Sequence, residues 1–227
     1  MNSAGAVLFD LDGTLTDSRL GILRCARYAF ERLSATTGRA YPLPRDEDLN
    51  WIVGPPLRDS FGKLAGVGNA EALMGFYLER YQSVGAFENQ VYDGIPEALG
   101  ALRASGAALF VATSKNEADA LRILDHFALA GFFRGIHGAK ADGGRADKSE
   151  LLAYVLRSER LDAARNPIAM IGDRKFDAIG ARHVGIAAIG ALWGYGGAEE
   201  LKSAGADPLV KTPREVPEAV KGVFARA

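Results

Sequence analysis

The stretch Ala6-Val7-Leu8-Phe9-Asp10-Leu11-Asp12-Gly13-Thr14-Leu15 decides how this chain is read. A nearly continuous apolar run ends at paired acids and a glycine. A short run without alternation predicts a strand buried on both faces, which is the condition of a parallel sheet. Three stretches share the pattern: Ala107 to Thr113, Pro167 to Asp173 and Gly185 to Leu192. Weaker ones lie at Phe133 to Ala139 and Pro208 to Lys211. Helical patterns separate them. Pro96 falls in a first turn, Ala98, Leu99 and Leu102 follow, and Gly106 stands past the end, a proline start with a glycine stop. Asn116 predicts a cap for a helix whose apolar face is Ala120, Leu121, Ile123, Leu124 and Phe127. Asp147 and Ser149 open another, with Leu151, Leu152, Val155 and Leu156 inward. The alternation predicts an α/β fold, a doubly wound, Rossmann-like parallel sheet.

The segment from Asp17 to about Val91 breaks that rhythm. It holds no convincing strand and is far longer than an ordinary strand-to-helix connection. Ile22, Ala26, Ala29, Phe30 and Leu33 share one helical face. Leu73, Phe76, Tyr77 and Tyr81 share another, after Asn69 as a candidate cap. Tyr41-Pro42-Leu43-Pro44 and Gly54-Pro55-Pro56-Leu57 interrupt helices between them. The expected organisation is a core of residues 1–16 and 92–227 with a small all-helical domain, 17–91, inserted after the first strand. The stretch after Gly194, with Gly196 and Gly197, reads as a surface loop before a last strand and helix.

Composition excludes several classes. With 27 Lys and Arg against 28 Asp and Glu, the formal net charge is −1, so no nucleic acid polymer and no anionic membrane surface is expected as a partner. Cys25 is the only cysteine, which removes internal disulfides and Cys-rich zinc sites. Apolar runs fall short of the about 20 residues of a membrane span. Asp10 and Asp12 break the N-terminal one, against a secretory signal, so a cytoplasmic protein is expected. Nothing in the composition separates a monomer from a homodimer.

Ligands of open parallel sheets bind beyond the carboxyl ends of the strands, and the polar residues gather at those ends. Strand one ends in Asp10-Leu11-Asp12-Gly13-Thr14, another in Thr113-Ser114-Lys115, a later one in Gly172-Asp173-Arg174-Lys175-Phe176-Asp177. Lys148 opens a helix between the last two. Like carboxylates brought together resist joint ionisation unless a cation sits among them. Hard oxygen donors suit Mg²⁺, which also takes a phosphate oxygen. Lys148 with the hydroxyls and amides around Thr113 and Ser114 complements a phosphoryl group. The set reads as phosphoryl transfer on a small phosphorylated substrate.

Phe9-Asp10-Leu11-Asp12-Gly13-Thr14-Leu15 resembles the first motif of the haloacid dehalogenase superfamily, phosphatase branch. Thr113, Lys148 and Gly172-Asp173 to Asp177 are similar to its second, third and fourth motifs, in order. Ile52-Val53-Gly54-Pro55-Pro56-Leu57 resembles the phosphoglycolate phosphatase-like subgroup. The resemblance implies a helical cap after motif one, and roles by position. Asp10 would be the nucleophile that becomes an aspartyl-phosphate. Asp12 would be acid to the leaving alcohol and base to water, with its main-chain carbonyl on the metal. Asp173 would bind Mg²⁺, and Asp177 would hold the metal's waters or Lys148 from behind. Thr113 and Ser114 would bind the phosphoryl oxygens, and Lys148 would neutralise nucleophile and phosphate.

Each residue also has a plainer reading. Asp10 and Asp12-Gly13 suit a cap and a turn, Thr113 and Asp177 suit helix caps, and Lys148 competes with Lys140 and Lys115. Arg58 is a candidate contact to a substrate acid group or a simple exposed arginine. His126, His137 and His183 are scattered and join no metal site; Cys25 reads as packing. Asp12 disfavours a dehalogenase, which generally lacks an acid there, and a phosphonatase, which has a small residue. Hydrolysis of a phosphomonoester such as phosphoglycolate is expected. The alternatives are nucleoside 5′-monophosphate hydrolysis, phosphotransfer of the β-phosphoglucomutase type, and a binding module without catalysis.

Overall fold

The structure is a computed structural model that describes residues 5–54, 57–140 and 142–226. In chain order its elements begin β1 (Ala6–Phe9), β2 (Thr16–Asp17), α1 (Arg19–Thr37), α2 (Leu57–Ala65) and α3 (Ala70–Ser83). Then come β3 (Gln90–Val91), α4 (Ile95–Ala104), β4 (Ala108–Asn116), α5 (Glu117–His126), β5 (Gly135–Ala139) and α6 (Lys148–Ser158). The last are β6 (Ile168–Gly172), α7 (Lys175–His183), β7 (Ala187–Ala191), α8 (Ala198–Ala204), β8 (Leu209–Val210) and α9 (Val216–Phe224). The chain divides into two compact units, Met1–Thr16 with Val91–Ala227, and Asp17–Gln90.

The first unit carries the α/β fold that the apolar runs predict. Its sheet has six strands in the order β5-β4-β1-β6-β7-β8, every neighbouring pair parallel. Phe9 lies level with Val111 on one side and Ile171 on the other. The residues that follow Phe9, Val111 and Ile171 therefore meet at one edge, where the winding reverses. Ala6, Leu8, Phe110, Ala112 and Met170 pack with Leu151, Leu152 and Val155 of α6. The alternate residues Val7, Phe9, Leu109, Val111 and Ile171 are buried as well, because helices cover both faces; hence the run without alternation. Each such Leu, Ile or Phe contributes about 1.5–3 kcal/mol by leaving water.

Helix starts follow the expected chemistry. The Asn116 side chain accepts from the amides of Ala118 and Asp119 and so caps α5; Asp147 does the same for α6 through Ser149 and Glu150. Elsewhere the outcome differs. β4 continues past Thr113 to Asn116, its pairing with β5 shifting register between Ala112 and Asn116. Residues expected as loop after Gly197 form α8, a helix too short to impose a clear period. The short β2 and β3 pair as a two-stranded ribbon, although no strand was expected at Asp17 or Val91; two residues carry no periodicity to read.

In the second unit Ile22, Ala26, Ala29, Phe30 and Leu33 of α1 are buried, as are Leu73, Tyr77 and Tyr81 of α3. Phe30, Phe61 and Tyr77 meet edge to face at 5.8 and 5.9 Å, and Tyr81 stacks on Tyr77 at 5.4 Å. Phe76 is only half-buried, under the Arg32 guanidinium. Asn69 stands at the N-cap of α3 without capping it; its amide donates to the Ala65 carbonyl at 2.8 Å instead. Cys25 is buried. Pro55 and Pro56 lie outside the described residues. Among the described residues no helix is long and apolar enough to cross a membrane.

Candidate active site

Three strand ends and one helix start build the site. Asp10 follows β1, its amide donating to Ile171 of β6 at 2.9 Å. The amides of Thr14, Leu15 and Thr16 all donate to the Leu11 carbonyl, folding the next residues into a tight loop. Gly13 allows it with φ 81°, in the left-handed region that side chains avoid. A Cβ there would also fall 2.2 Å from an Asp173 carboxylate oxygen. Lys148 is the first residue of α6. Its buried ammonium donates to the Ala112 carbonyl at 3.0 Å and pairs with Asp10 Oδ1 at 3.2 Å and Asp177 Oδ1 at 2.8 Å. Gly180 makes room for the lysine stem, since a Cβ there would lie 2.9 Å from Lys148 Cγ.

Asp10, Asp173 and Asp177 each present a carboxylate oxygen within 4.8 Å of the others. Asp173 and Asp177 are buried and Asp10 partly so. Desolvation, then the charges of Asp177 and Asp10, push Asp173 up to about 8, against an amide from Tyr195 and the Thr14 hydroxyl. Burial raises Asp177 too, to about 6, with Lys148 pulling the other way and Asp10 reinforcing it. Lys148 is desolvated, yet Asp10 and Asp177 hold its ammonium above the ordinary lysine range. One lysine thus pairs with two of three clustered acids, an arrangement with room and charge for a divalent cation. The donor set fits Mg²⁺, all oxygens and no histidine or sulfur.

The loop at 193–197 is not the surface connection its glycines predict. The Tyr195 amide donates to Asp173 Oδ2 at 2.8 Å, and the Trp193 indole donates to the Thr14 carbonyl at 3.0 Å. Thr14 Oγ1 donates to Asp173 Oδ1 at 3.1 Å. A Cβ on Gly194 would lie 2.3 Å from the Gly13 carbonyl oxygen, and one on Gly196 2.0 Å from the Asp173 carbonyl oxygen. These glycines let backbone close on backbone, so both oxygens of Asp173 are held in place.

The structure therefore brings together Asp10, Asp173, Asp177 and Lys148. Asp177, expected behind the metal ligands, lies within the same triangle, and its Oδ2 also accepts from the Arg174 amide at 3.1 Å. Asp12 turns its carboxylate to a lysine that the sequence reading passed over: Lys115 Nζ lies 2.8 Å from Asp12 Oδ2. Asp12 Oδ1 is buried and has no hydrogen-bond partner among the described residues. Thr113 is buried, its hydroxyl accepting from the Lys115 amide at 3.3 Å, while Ser114 is exposed. Arg58 belongs to the other unit, where it is exposed and pairs with Glu71 at 2.9 Å. Lys115 and the 193–197 loop are the two features that sequence reasoning missed; the Thr113-Ser114-Lys115 order at a strand end was the available signal for the first.

The sequence model of the haloacid dehalogenase-like hydrolases matches residues 7–191. A 5′-nucleotidase of Pseudomonas aeruginosa is 42% identical over 199 residues, 87% of this chain and 86% of its own. Tyrosine-protein kinase PtkA of Mycobacterium tuberculosis is 39% identical over 85% of this chain, which spans 64% of that protein's length. A phosphoglycolate phosphatase of Caulobacter vibrioides is 29% identical over 96% of this chain and 91% of its own. The crystal structure of a predicted phosphatase from Clostridium acetobutylicum superposes with a TM-score of 0.86 at 36% identity, covering 96% of this chain and 99% of that one.

Proposed function

This chain belongs to the haloacid dehalogenase-like hydrolases and is a phosphatase, and from that premise we propose that it is a magnesium-dependent phosphomonoesterase working through an aspartyl-phosphate on Asp10. The observation that carries the reading is Lys148 Nζ in contact with both Asp10 and Asp177 inside the three-acid triangle. Asp10, Asp173 and Asp177 would hold the cation, with the Asp12 main-chain carbonyl. When bound, Mg²⁺ supplies positive charge to the phosphoryl oxygens and offsets the acids.

The residues then divide the work. Asp10 is oriented by Lys148 and by the Leu11 amide, which donates to its Oδ1 at 2.8 Å. An Asp10 oxygen bonds to phosphorus as the bond from phosphorus to the leaving oxygen breaks, and Asp12 protonates that oxygen. Water then bonds to phosphorus as the Asp10–phosphorus bond breaks, and Asp12 takes the water's proton. One water is consumed and both aspartates return to their starting states. Thr113, whose hydroxyl oxygen already accepts from Lys115, keeps its proton to donate to the phosphoryl group, with Ser114 at the rim. Arg58, exposed and paired with Glu71, stays the candidate contact to a substrate's acid group.

For the leaving group, the 42% identical relative named 5′-nucleotidase supports nucleoside 5′-monophosphates first. The phosphoglycolate phosphatase supports phosphoglycolate second. The kinase name supports transfer of the Asp10 phosphoryl group to an alcohol in place of water. Phosphate release from a nucleoside 5′-monophosphate, 2-phosphoglycolate and p-nitrophenyl phosphate, with Mg²⁺ or with EDTA, separates these. Hydrolysis that EDTA removes is expected, and Asp10→Asn should lower it at least about 10³-fold with an unchanged circular dichroism spectrum. Turnover that survives EDTA or Asp10→Asn would sink the reading.

A further inference from the structure

Two lysines reach the acids of this site, Lys148 at Asp10 and Asp177 and Lys115 at Asp12. Lys115 lies where the pairing of β4 with β5 loses register, between Ala112 and Asn116, and such irregularities re-aim side chains beside active sites. Its Nζ meets Asp12 Oδ2 at 2.8 Å, with only 10% of the lysine side chain and 20% of the aspartate side chain exposed. Its amide donates to Thr113 Oγ1 at 3.3 Å. The other Asp12 oxygen is buried and, among the described residues, has no hydrogen-bond partner. A carboxylate held by one oxygen with the second unsatisfied has its rotamer fixed and one proton-exchanging atom left to use. Lys148 likewise holds one oxygen of Asp10 and one of Asp177.

We propose that Lys115 is a positioning residue that fixes the Asp12 carboxylate in the orientation from which it exchanges a proton with the leaving oxygen. This rests on the reading of Asp12 as acid and base given above. It makes Lys115 matter in proportion to how much the leaving group needs a proton. An alkoxide needs one; p-nitrophenolate leaves without it.

The test compares kcat/KM for a nucleoside 5′-monophosphate with that for p-nitrophenyl phosphate, because this ratio reports only steps up to departure of the alcohol. Lys115→Met should lower kcat/KM for the alkyl ester about 10- to 100-fold, a fraction of the whole acid–base contribution, and that for the aryl ester less than about 3-fold. Lys115→Arg, which keeps the cation should the methionine fold poorly, should recover most of the loss. In the double variant with Asp12→Asn the two losses should fail to add, as they do for side chains acting through one another. Equal losses on both esters, or a rise in KM alone, would make Lys115 a phosphate contact and overturn the proposal; so would no loss at all. Asp12→Asn on the same pair keeps the two readings apart. If it shows no leaving-group dependence, the role of Asp12 fails; if it does and Lys115→Met does not, the role of Lys115 alone fails.

Discussion

Two clusters of charge, one in each unit and built from similar side chains, end in opposite electrostatic states. In the helical unit Glu88 accepts from Arg80 at 2.5 and 3.0 Å and from Arg24 at 2.8 Å. The hydrogen bond from Arg80, with Arg24 adding to it against some desolvation, holds its carboxyl down at about 2. In the α/β unit three acids cluster around one lysine that pairs with two of them, Asp10 and Asp177, and burial with like charge lifts Asp173 to about 8. Two cations to one acid stabilise a fold. Three acids to one cation leave a charge deficit that something from solution must fill, and this kind of perturbation marks working sites. The difference separates charge that serves stability from charge that serves chemistry.

The largest effect expected of that difference lies at Asp173. Its pKa is raised, so between 3.8 and about 8 the metal-free folded state keeps a proton that the unfolded chain has released. Stability of EDTA-treated protein should therefore fall as pH rises through that window. Mg²⁺ should restore it, by roughly 5 °C or more in Tm at the alkaline end. Asp173→Asn should flatten the slope to the smaller part that Asp177, raised to about 6, contributes, remove the response to Mg²⁺, raise the metal-free Tm and cost at least about 10³-fold in turnover. Thermal scans across pH with and without Mg²⁺ measure this. A flat metal-free profile would mean the acids are not in conflict, and the contrast between the clusters would vanish.

A smaller effect tests how rigidly that conflict is held. Gly194→Ala places a methyl group 2.3 Å from the Gly13 carbonyl oxygen and 2.4 Å from Asp173 Cβ. Backbone must move, at about 1–3 kcal/mol, and the Tyr195 amide loses its hold on Asp173. Mg²⁺ titration by calorimetry should give about 10-fold weaker binding, in line with other changes behind metal ligands. Unchanged affinity would show that Asp173 does not need the loop.

What the sequence made legible was local. Asp10 and Asp12 at the end of a run buried on both faces, Asn116 and Asp147 as caps, and Pro96 with Gly106 around a helix each depend on neighbours a few positions away. Lys115 carries only a weak local signal, its place at a strand end after Thr113 and Ser114, because its partner, Asp12, comes from another strand end. Gly194 and Gly196 suit a surface turn for a related reason. Glycine marks where backbone is free to bend; what that backbone then approaches is set by the sheet order, which places the turn after β7 against the one after β1. Asn69 fails in the opposite sense: its local pattern suits a cap, yet its amide finds the Ala65 carbonyl at the end of α2.

The smallest effect belongs to the satisfied cluster, and its sign in pH is opposite to that of Asp173. Glu88 is lowered from 4.5 to about 2, so its contribution is complete above about pH 5 and is lost as acid protonates it on the way down to about 2. About one fifth of each of the Glu88 and Arg80 side chains remains exposed, as does half of Arg24. Water therefore screens the pairs and leaves about 1–2 kcal/mol of the full linkage value. Glu88→Gln should lower Tm by roughly 2–6 °C at neutral pH, with Mg²⁺ giving no recovery, and the gap to the parent should close as pH approaches about 2. Arg24→Ala should cost less, being the more exposed partner. Paired melting curves at neutral and acid pH decide it: a gap that persists in acid would mean that Glu88 contributes by packing around Cys25 and Arg80, and charge would no longer distinguish the two clusters.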